Sequence, residues 1–179
     1  NKPNVRAFWQ PILQAHRDAV DQGLEYMESK VETRRGKAGI DVIPVDGLVI
    51  TSCDHLANRN LEPHLHTHNM LYGVAYADGK RGGWESSELF RHQKAADTIY
   101  MAHLAENLRK LGYGIEQQAE VDPDQQDTGV RSWKVAGIDD ATIAAFSTRK
   151  DEVLEAMTEG MSHQEAWAKT RAHKDEPSP

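Results

Sequence analysis

The sequence predicts an α+β fold in which an antiparallel β-sheet is covered by helices. Three observations lead there. Residues 5–30 and 87–111 repeat apolar side chains at steps of three and four. Between them, residues 47–54 and 65–76 carry β-branched or alternating patterns bounded by turn signals. A short strand and more helix follow, with no internal repeat and no sign of a second domain. At 179 residues the chain suits one domain with a real core.

The first helix is carried by Ile12, Ala15, Ala19, Val20, Leu24 and Met27. Pro11 lacks an N–H, so the regular helix is expected to begin there. The polar stretch TRRGKAG reads as a connection, with Arg34, Arg35 and Lys37 in a turn. GLVITSCD (47–54) reads as a buried strand in which Cys53 is a small core residue. LHTHNMLYGVAY (65–76) is a longer strand ending at ADGKRGG, which places Lys80 and Arg81 in a turn. The second helix carries Leu89, Ala96, Ile99, Tyr100, Leu104 and Leu108 on its stripe, with Ser86 or Ser87 as cap and Gly112 at the left-handed stop. EVDPDQQDTG is a loop by composition, SWKVAG a short strand, and residues 139–157 one helix with Ile143, Phe146, Val153 and Leu154 inward. Ser162 and Glu165 form a capping box that opens a last helix, and residues 173–179 read as a linker or tail.

Composition narrows the class. Mean hydropathy is −0.69, and no apolar run approaches the roughly 20 residues that span a bilayer. The N-terminus lacks a signal-peptide pattern, and a lone cysteine fits a reducing compartment, so a cytoplasmic location is expected. The formal charge of −7 argues mildly against nucleic acid, but its distribution matters more than its sum. Acidic residues crowd 116–127 and the C-terminal third, while basic ones gather near 34–37 and 80–81.

Nine histidines are many for this length, and their arrangement is the main clue. His66 and His68 stand one period-two step apart, on the strand face that also carries Met70 and Tyr72. His-x-His alone is weak. His55 lies eleven residues upstream at the end of the preceding strand, and a hairpin would fold it beside the pair. Three neutral imidazoles leave coordination positions open, which suits a catalytic rather than a structural metal. His64 shares the face and is read as a neighbour rather than a fourth ligand.

The segment DHLANRNLEPHLHTHNMLYGVAYADGK resembles the metal-binding motif of TrwC-like conjugative relaxases, in the HUH endonuclease superfamily. The match takes in His55, Arg59, the Glu62-Pro63 pair and the Leu-His-Thr-His run. KAADTIYMAHLAENLRKLGYGIE and VAGIDDATIAAFSTRK are similar to the elements that follow in that family, so the resemblance covers nearly the whole chain. Two departures stand out: Leu56, Ala57 and Asn58 replace the usual Asp-x-Ser, and His64 replaces Gln. Neither removes a ligand.

The resemblance implies an α+β relaxase domain over residues 1–172, with His55, His66 and His68 holding a divalent ion on the scissile phosphate. Mg or Mn would serve in use, and Zn or Ni would also suit imidazoles. It implies a tyrosine that attacks single-stranded DNA at a transfer origin, leaving a 5′-phosphotyrosyl link and a free 3′-hydroxyl. In the family that tyrosine precedes the region seen here, so the chain is expected to be the metal-bearing part of an incomplete relaxase domain. Its partners would be an N-terminal tyrosine-bearing segment and a C-terminal helicase, and alone it would be inactive. The resident alternative is Tyr100; Tyr26, Tyr72, Tyr76 and Tyr113 have weaker cases. Arg59, Lys80 and Arg81 are the expected phosphate contacts, whereas Trp84 and Trp133 suit the core better than base stacking. The competing classes are a noncatalytic DNA- or metal-binding remnant and an unrelated His-x-His metalloenzyme such as a cupin, which the long helices disfavour.

Overall fold

The computed structural model describes residues 5–121, 127–158, 160–162, 165–166 and 168–169. In chain order its elements are α1 (Val5–Glu28), β1 (Glu32–Arg35), β2 (Asp41–Pro44), β3 (Gly47–Ala57), β4 (Pro63–Ala77), β5 (Lys80–Gly82), α2 (Ser87–Lys110), β6 (Ile115–Val121), β7 (Asp127–Val135), α3 (Asp140–Ala145) and α4 (Thr148–Thr158). The sheets are β1-β2, β3-β4-β5 and β6-β7. The α+β expectation holds. Contacts divide the chain into two compact units, residues 1–53 with 67–137 and residues 54–66 with 138–179. Strands β3 and β4 run unbroken from the first into the second.

In the first unit, α1 and α2 meet through small side chains. Ala15, Ala19 and Ala105 are buried, and a Cβ placed on Gly23 would lie 3.4 Å from the Ala96 carbonyl oxygen. Asn107 Nδ2 donates to the Ala15 carbonyl at 3.1 Å, so one turn of α1 is tied to α2. The helix runs through Pro11 instead of starting there. A proline removes one backbone donor and crowds one carbonyl, and the chain tolerates that early in a 24-residue helix. At the other end of α2 the stop is as expected. Gly112 adopts φ 92°, its N–H donates to the Arg109 carbonyl, and Tyr113 N–H donates to that of Leu108, which together make a Schellman motif.

Strand β4 separates two environments. On one face Thr67, Asn69 and Leu71 are half-buried and Ala75 and Ala77 are fully buried. On the other, Met70, Tyr72, Val74 and Tyr76 are exposed, as is Val49 on β3. Cys53 shares that exposed face of β3, so it is not the core residue the sequence suggests.

Several polar stretches that read as connections are hairpins. TRRGKAG takes in the last three residues of β1 and a 3₁₀ turn at Lys37–Gly39, where Ala38 takes φ 63°, and β1 pairs antiparallel with β2. Arg34 and Arg35 therefore sit on a strand, and Lys80 and Arg81 sit on β5. Of the composition-based loop at 120–129, Val121 ends β6 and Asp127 opens β7, and residues 122–126 lie outside the described residues; the two strands pair from Ile115↔Val135 to Val121↔Asp127 with a register shift between Ala119 and Val121. Ile115, Ala119 and Val121 fall at alternate positions of β6, and the end of β7 is the short strand expected at SWKVAG.

The single helix expected over 139–157 is two. Asp139 caps α3 by accepting the Thr142 N–H at 2.6 Å, and the helix stops at Phe146. Only Val153 of the four residues expected inward is buried; Ile143, Phe146 and Leu154 are exposed. Val153, Ala156 and Ala166 form the core of the second unit, with Met157 and Met161 against them. The Ser162–Glu165 capping box is present: Ser162 N–H donates to Glu165 Oε2 at 2.9 Å and Glu165 N–H to Ser162 Oγ at 3.3 Å. The expected tail at 173–179 lies outside the described residues.

The Schellman glycine gives a direct test. Gly112→Ala has open space around the new methyl but forces an L-residue into left-handed backbone, and should lower the unfolding free energy by about 1 kcal/mol. Gly73→Ala on β4, with equally open space and no positive φ, should cost nothing. Urea midpoints of the two variants make the comparison.

Candidate metal centre

The site begins with the closure of one hairpin. Strands β3 and β4 are neighbours in the sheet and are joined by only residues 58–62, so they run antiparallel. Asn58 organises the tip. Its N–H donates to the Glu62 carbonyl at 3.0 Å, and its Oδ1 accepts the N–H groups of Asn60 at 2.9 Å and Glu62 at 3.1 Å. Leu61 is forced to φ 61° and stands 86% exposed. Thr51 Oγ1 donates to Tyr72 Oη at 3.4 Å on one face of the pair, and Ser52 Oγ to Asn69 Oδ1 at 2.7 Å on the other.

This pairing brings His55 of β3 and His66 and His68 of β4 together, with one ring nitrogen of each within 4.8 Å of the others. The rings of His55 and His66 are 5.3 Å apart at 76°. Nitrogens about 2.1 Å from a common ion stand roughly 3.3 Å apart in a tetrahedral shell. The observed group, spread over up to 4.8 Å, is looser than that and would have to draw in around an ion. All three are exposed or half-buried, as an ion open to a substrate needs. His66 Nδ1 lies 2.9 Å from the His64 carbonyl oxygen. An oxygen of that kind only accepts, so Nδ1 carries the hydrogen and Nε2 presents the lone pair, an arrangement common among metal-bound histidines. The His64 ring is 4.7 Å from that of His66, but His64 is not among the three convergent residues.

The other expected residues distribute around this hairpin. Arg59 lies exposed on the tip between the candidate ligands. Arg81 pairs with Tyr76 across β4 and β5 and so shares the face of the histidines, whereas Lys80 pairs with the buried Ala77. Trp84 and Trp133 are half-buried and donate to the carbonyls of Tyr72 at 2.8 Å and Met101 at 3.1 Å. Tyr100 lies on α2 with its hydroxyl 3.0 Å from His16 Nδ1. Burial, and secondarily the charge of Asp97, pushes its ionisation above the usual tyrosine value.

Two buried polar groups have roles that sequence reasoning did not assign. Glu62 is 8% exposed. Its carboxylate accepts the Thr148 N–H at 2.9 Å and the Thr148 hydroxyl, and also the Asn58 side-chain amide at 2.5 Å. A carboxylate at the first N–H of α4 satisfies an orphan donor and complements the helix dipole. That bond explains why the chain restarts a helix at Thr148. The second group is His16, 2% exposed, whose Nε2 lies 2.7 Å from Thr67 Oγ1.

A hairpin presenting three convergent imidazoles on the face of an antiparallel sheet marks an α+β protein with a candidate metal centre. A family model described as TrwC relaxase matches residues 7–179, and the chain belongs to that family. Among curated proteins it is 26% identical over 161 residues to the multifunctional conjugation protein TraI of Escherichia coli strain K12, covering 84% of this chain and 8% of TraI. Among solved structures it is similar to the conjugative relaxase TrwC in complex with mutant oriT DNA. There the TM-score is 0.76 at 25% identity, over 95% of this chain and 60% of that one. A metal-bound structure of TrwC with oriT DNA gives a TM-score of 0.75 at 27% identity, over 94% of this chain and 59% of that one. The chain thus spans a small part of TraI and about three-fifths of the solved TrwC chain.

Two measurements check the polar groups. Glu62→Ala strands a helix N–H and an amide in a buried setting, and should lower the unfolding free energy by about 2–3 kcal/mol in urea titration. In an alkaline spectrophotometric titration, one tyrosine should ionise later than the rest, and that late phase should vanish in Tyr100→Phe. The neutral hydroxyl is the form the fold favours, so the linked stability is present below about pH 10 and is lost as pH rises through the folded value.

Proposed function

We propose that residues 1–179 are the metal-bearing part of a DNA relaxase that nicks single-stranded DNA at a transfer origin by tyrosine transesterification. The observation that carries this reading is the convergence of His55, His66 and His68 on one hairpin face. Family membership and the oriT-bound state of TrwC support it.

When bound, a divalent ion would offset charge developing on the scissile phosphoryl oxygens. The residues of this chain do the rest of the binding. His55, His66 and His68 anchor the ion as neutral donors, so its charge stays available to the phosphate. Arg59 on the hairpin tip and Arg81 on the histidine face meet phosphates of the strand, with Lys80 beside them. The attacking hydroxyl comes from a tyrosine in a segment outside these residues. Its oxygen bonds to phosphorus, the bond to the 3′-oxygen breaks, and that oxygen leaves as a free hydroxyl. A C-terminal helicase is the partner this reading implies, and the proposed site of action is cytoplasmic. Imidazole ligands suit Zn or Ni, and Mg or Mn would serve phosphoryl chemistry in cells.

Calorimetry on chelator-stripped protein tests the reading. Wild type should bind one Mn or Ni ion per chain, and His66→Ala should bind weaker by roughly two orders of magnitude or more. With a tyrosine-bearing relaxase segment restored, wild type should nick an origin oligonucleotide in the presence of metal and His66→Ala should not. If wild type takes up no ion, the chain is better described as a noncatalytic remnant.

A further inference from the structure

The imidazole of His16 is almost fully enclosed, 2% exposed, yet both of its nitrogens are engaged by side chains of other elements. Nδ1 faces Tyr100 Oη of α2 at 3.0 Å, with the two rings edge to face at 5.6 Å and 88°. Nε2 faces Thr67 Oγ1 of β4 at 2.7 Å. In a neutral imidazole one nitrogen donates and the other accepts, and a hydroxyl can answer either role, so both contacts are satisfied at once. The ring is therefore held at both ends.

Thr67 is the residue between His66 and His68. Its side chain points to the helix-facing side of β4, opposite the two ligands, because alternate strand residues project to opposite faces. A threonine has one stiff χ1 angle, so fixing Oγ1 fixes the backbone that carries it. That backbone comprises the two peptide planes joining the ligand residues. Their tilt is what sets how far apart, and at what angle, the imidazoles of His66 and His68 leave the strand. The anchor behind Thr67 is firm, because α1 is tied to α2 within the same turn by Asn107 Nδ2 to the Ala15 carbonyl at 3.1 Å.

We propose that His16 is a positioning residue for the metal centre. Through Thr67 it pins the pleat of β4 between His66 and His68 and holds their rings at chelating separation, with Tyr100 fixing the far end of His16. The inference rests on the metal reading of the histidine triad. It adds a requirement for a hydroxyl on the opposite face of the strand, where nothing touches the ion.

Nickel binding by calorimetry tests it, beside urea midpoints of the metal-free proteins and far-UV circular dichroism. Thr67→Val keeps the shape and removes the hydroxyl. It should weaken nickel binding about 10- to 100-fold, the range found when groups that orient ligands are lost. Thr67→Ser restores the hydroxyl and should recover near wild-type affinity. Tyr100→Phe leaves Thr67 intact but releases one end of His16, and should produce a smaller loss in the same direction. Leu104→Ala, on the apolar stripe of α2, should lose stability while keeping wild-type affinity. Unchanged affinity in Thr67→Val overturns the proposal, as does an equal loss in Leu104→Ala, which would mean general loosening. If Thr67→Val fails to fold by dichroism, Tyr100→Phe decides alone, and wild-type affinity there overturns it. A wild type that binds no nickel removes the metal reading itself, and the positioning role with it.

Discussion

A β-strand has two faces, and on β4 they cannot be exchanged. The odd positions from Thr67 to Ala77 go toward the helices and include the buried alanines, while the even positions present His66, His68 and the exposed run from Met70 to Tyr76. A slip of one residue in the pairing of β3 and β4 would turn every one of these side chains to the wrong side. The register is held at the tip by Asn58, which closes the hairpin to Glu62 and orders the intervening turn. Further along, the Thr51–Tyr72 and Ser52–Asn69 contacts hold it on each face separately. The candidate centre and the packing of the first unit thus depend on one alignment.

What local chemistry decides was legible in the sequence. The stripes of α1 and α2, the glycine stop at 112, the capping box at Ser162 and the shared face of His66 and His68 each arise from a few neighbouring residues, and each is present. So is the convergence of His55 on the pair, which needs only a tight hairpin. The errors have a common origin in long-range partners. Polar strand β1 carries no apolar alternation, and pairing with β2 makes it a strand, while β6 and the first half of β7 flank a stretch whose composition alone reads as a loop. The break between α3 and α4 is invisible within residues 139–157 because the group that caps the restart, Glu62, is 86 residues earlier. Cys53 looked buried because it sits among β-branched residues, but its side chain lies on the face of β3 that carries Val49. His16 could have been noticed: it falls between Ile12 and Ala19 on the apolar stripe, where a polar ring needs partners.

Buried polar groups serve different tasks in the two units. Glu62 joins the tip to the start of α4, so a carboxylate between two candidate ligands also organises a helix in its own unit. His16 joins two helices to the strand. Both are specific where an apolar contact would be permissive, since a hydrogen bond fixes an atom and a methyl contact fixes only a distance. Of the departures from the family motif near the same tip, Leu56 is exposed and alters what the hairpin shows to its surroundings, whereas Asn58 builds the turn itself.

The three candidate ligands fall within the fourteen residues from His55 to His68. Contacts so close along the chain have low order, and a loop of that size closes within about a microsecond, long before distant elements dock. Synthesis proceeds from the N-terminus at roughly 5–20 residues per second. A nascent chain therefore carries all three candidate ligands a second or more before the first turn of α2 has been made. Their approach is in this sense an early and local event, complete before the later helices exist.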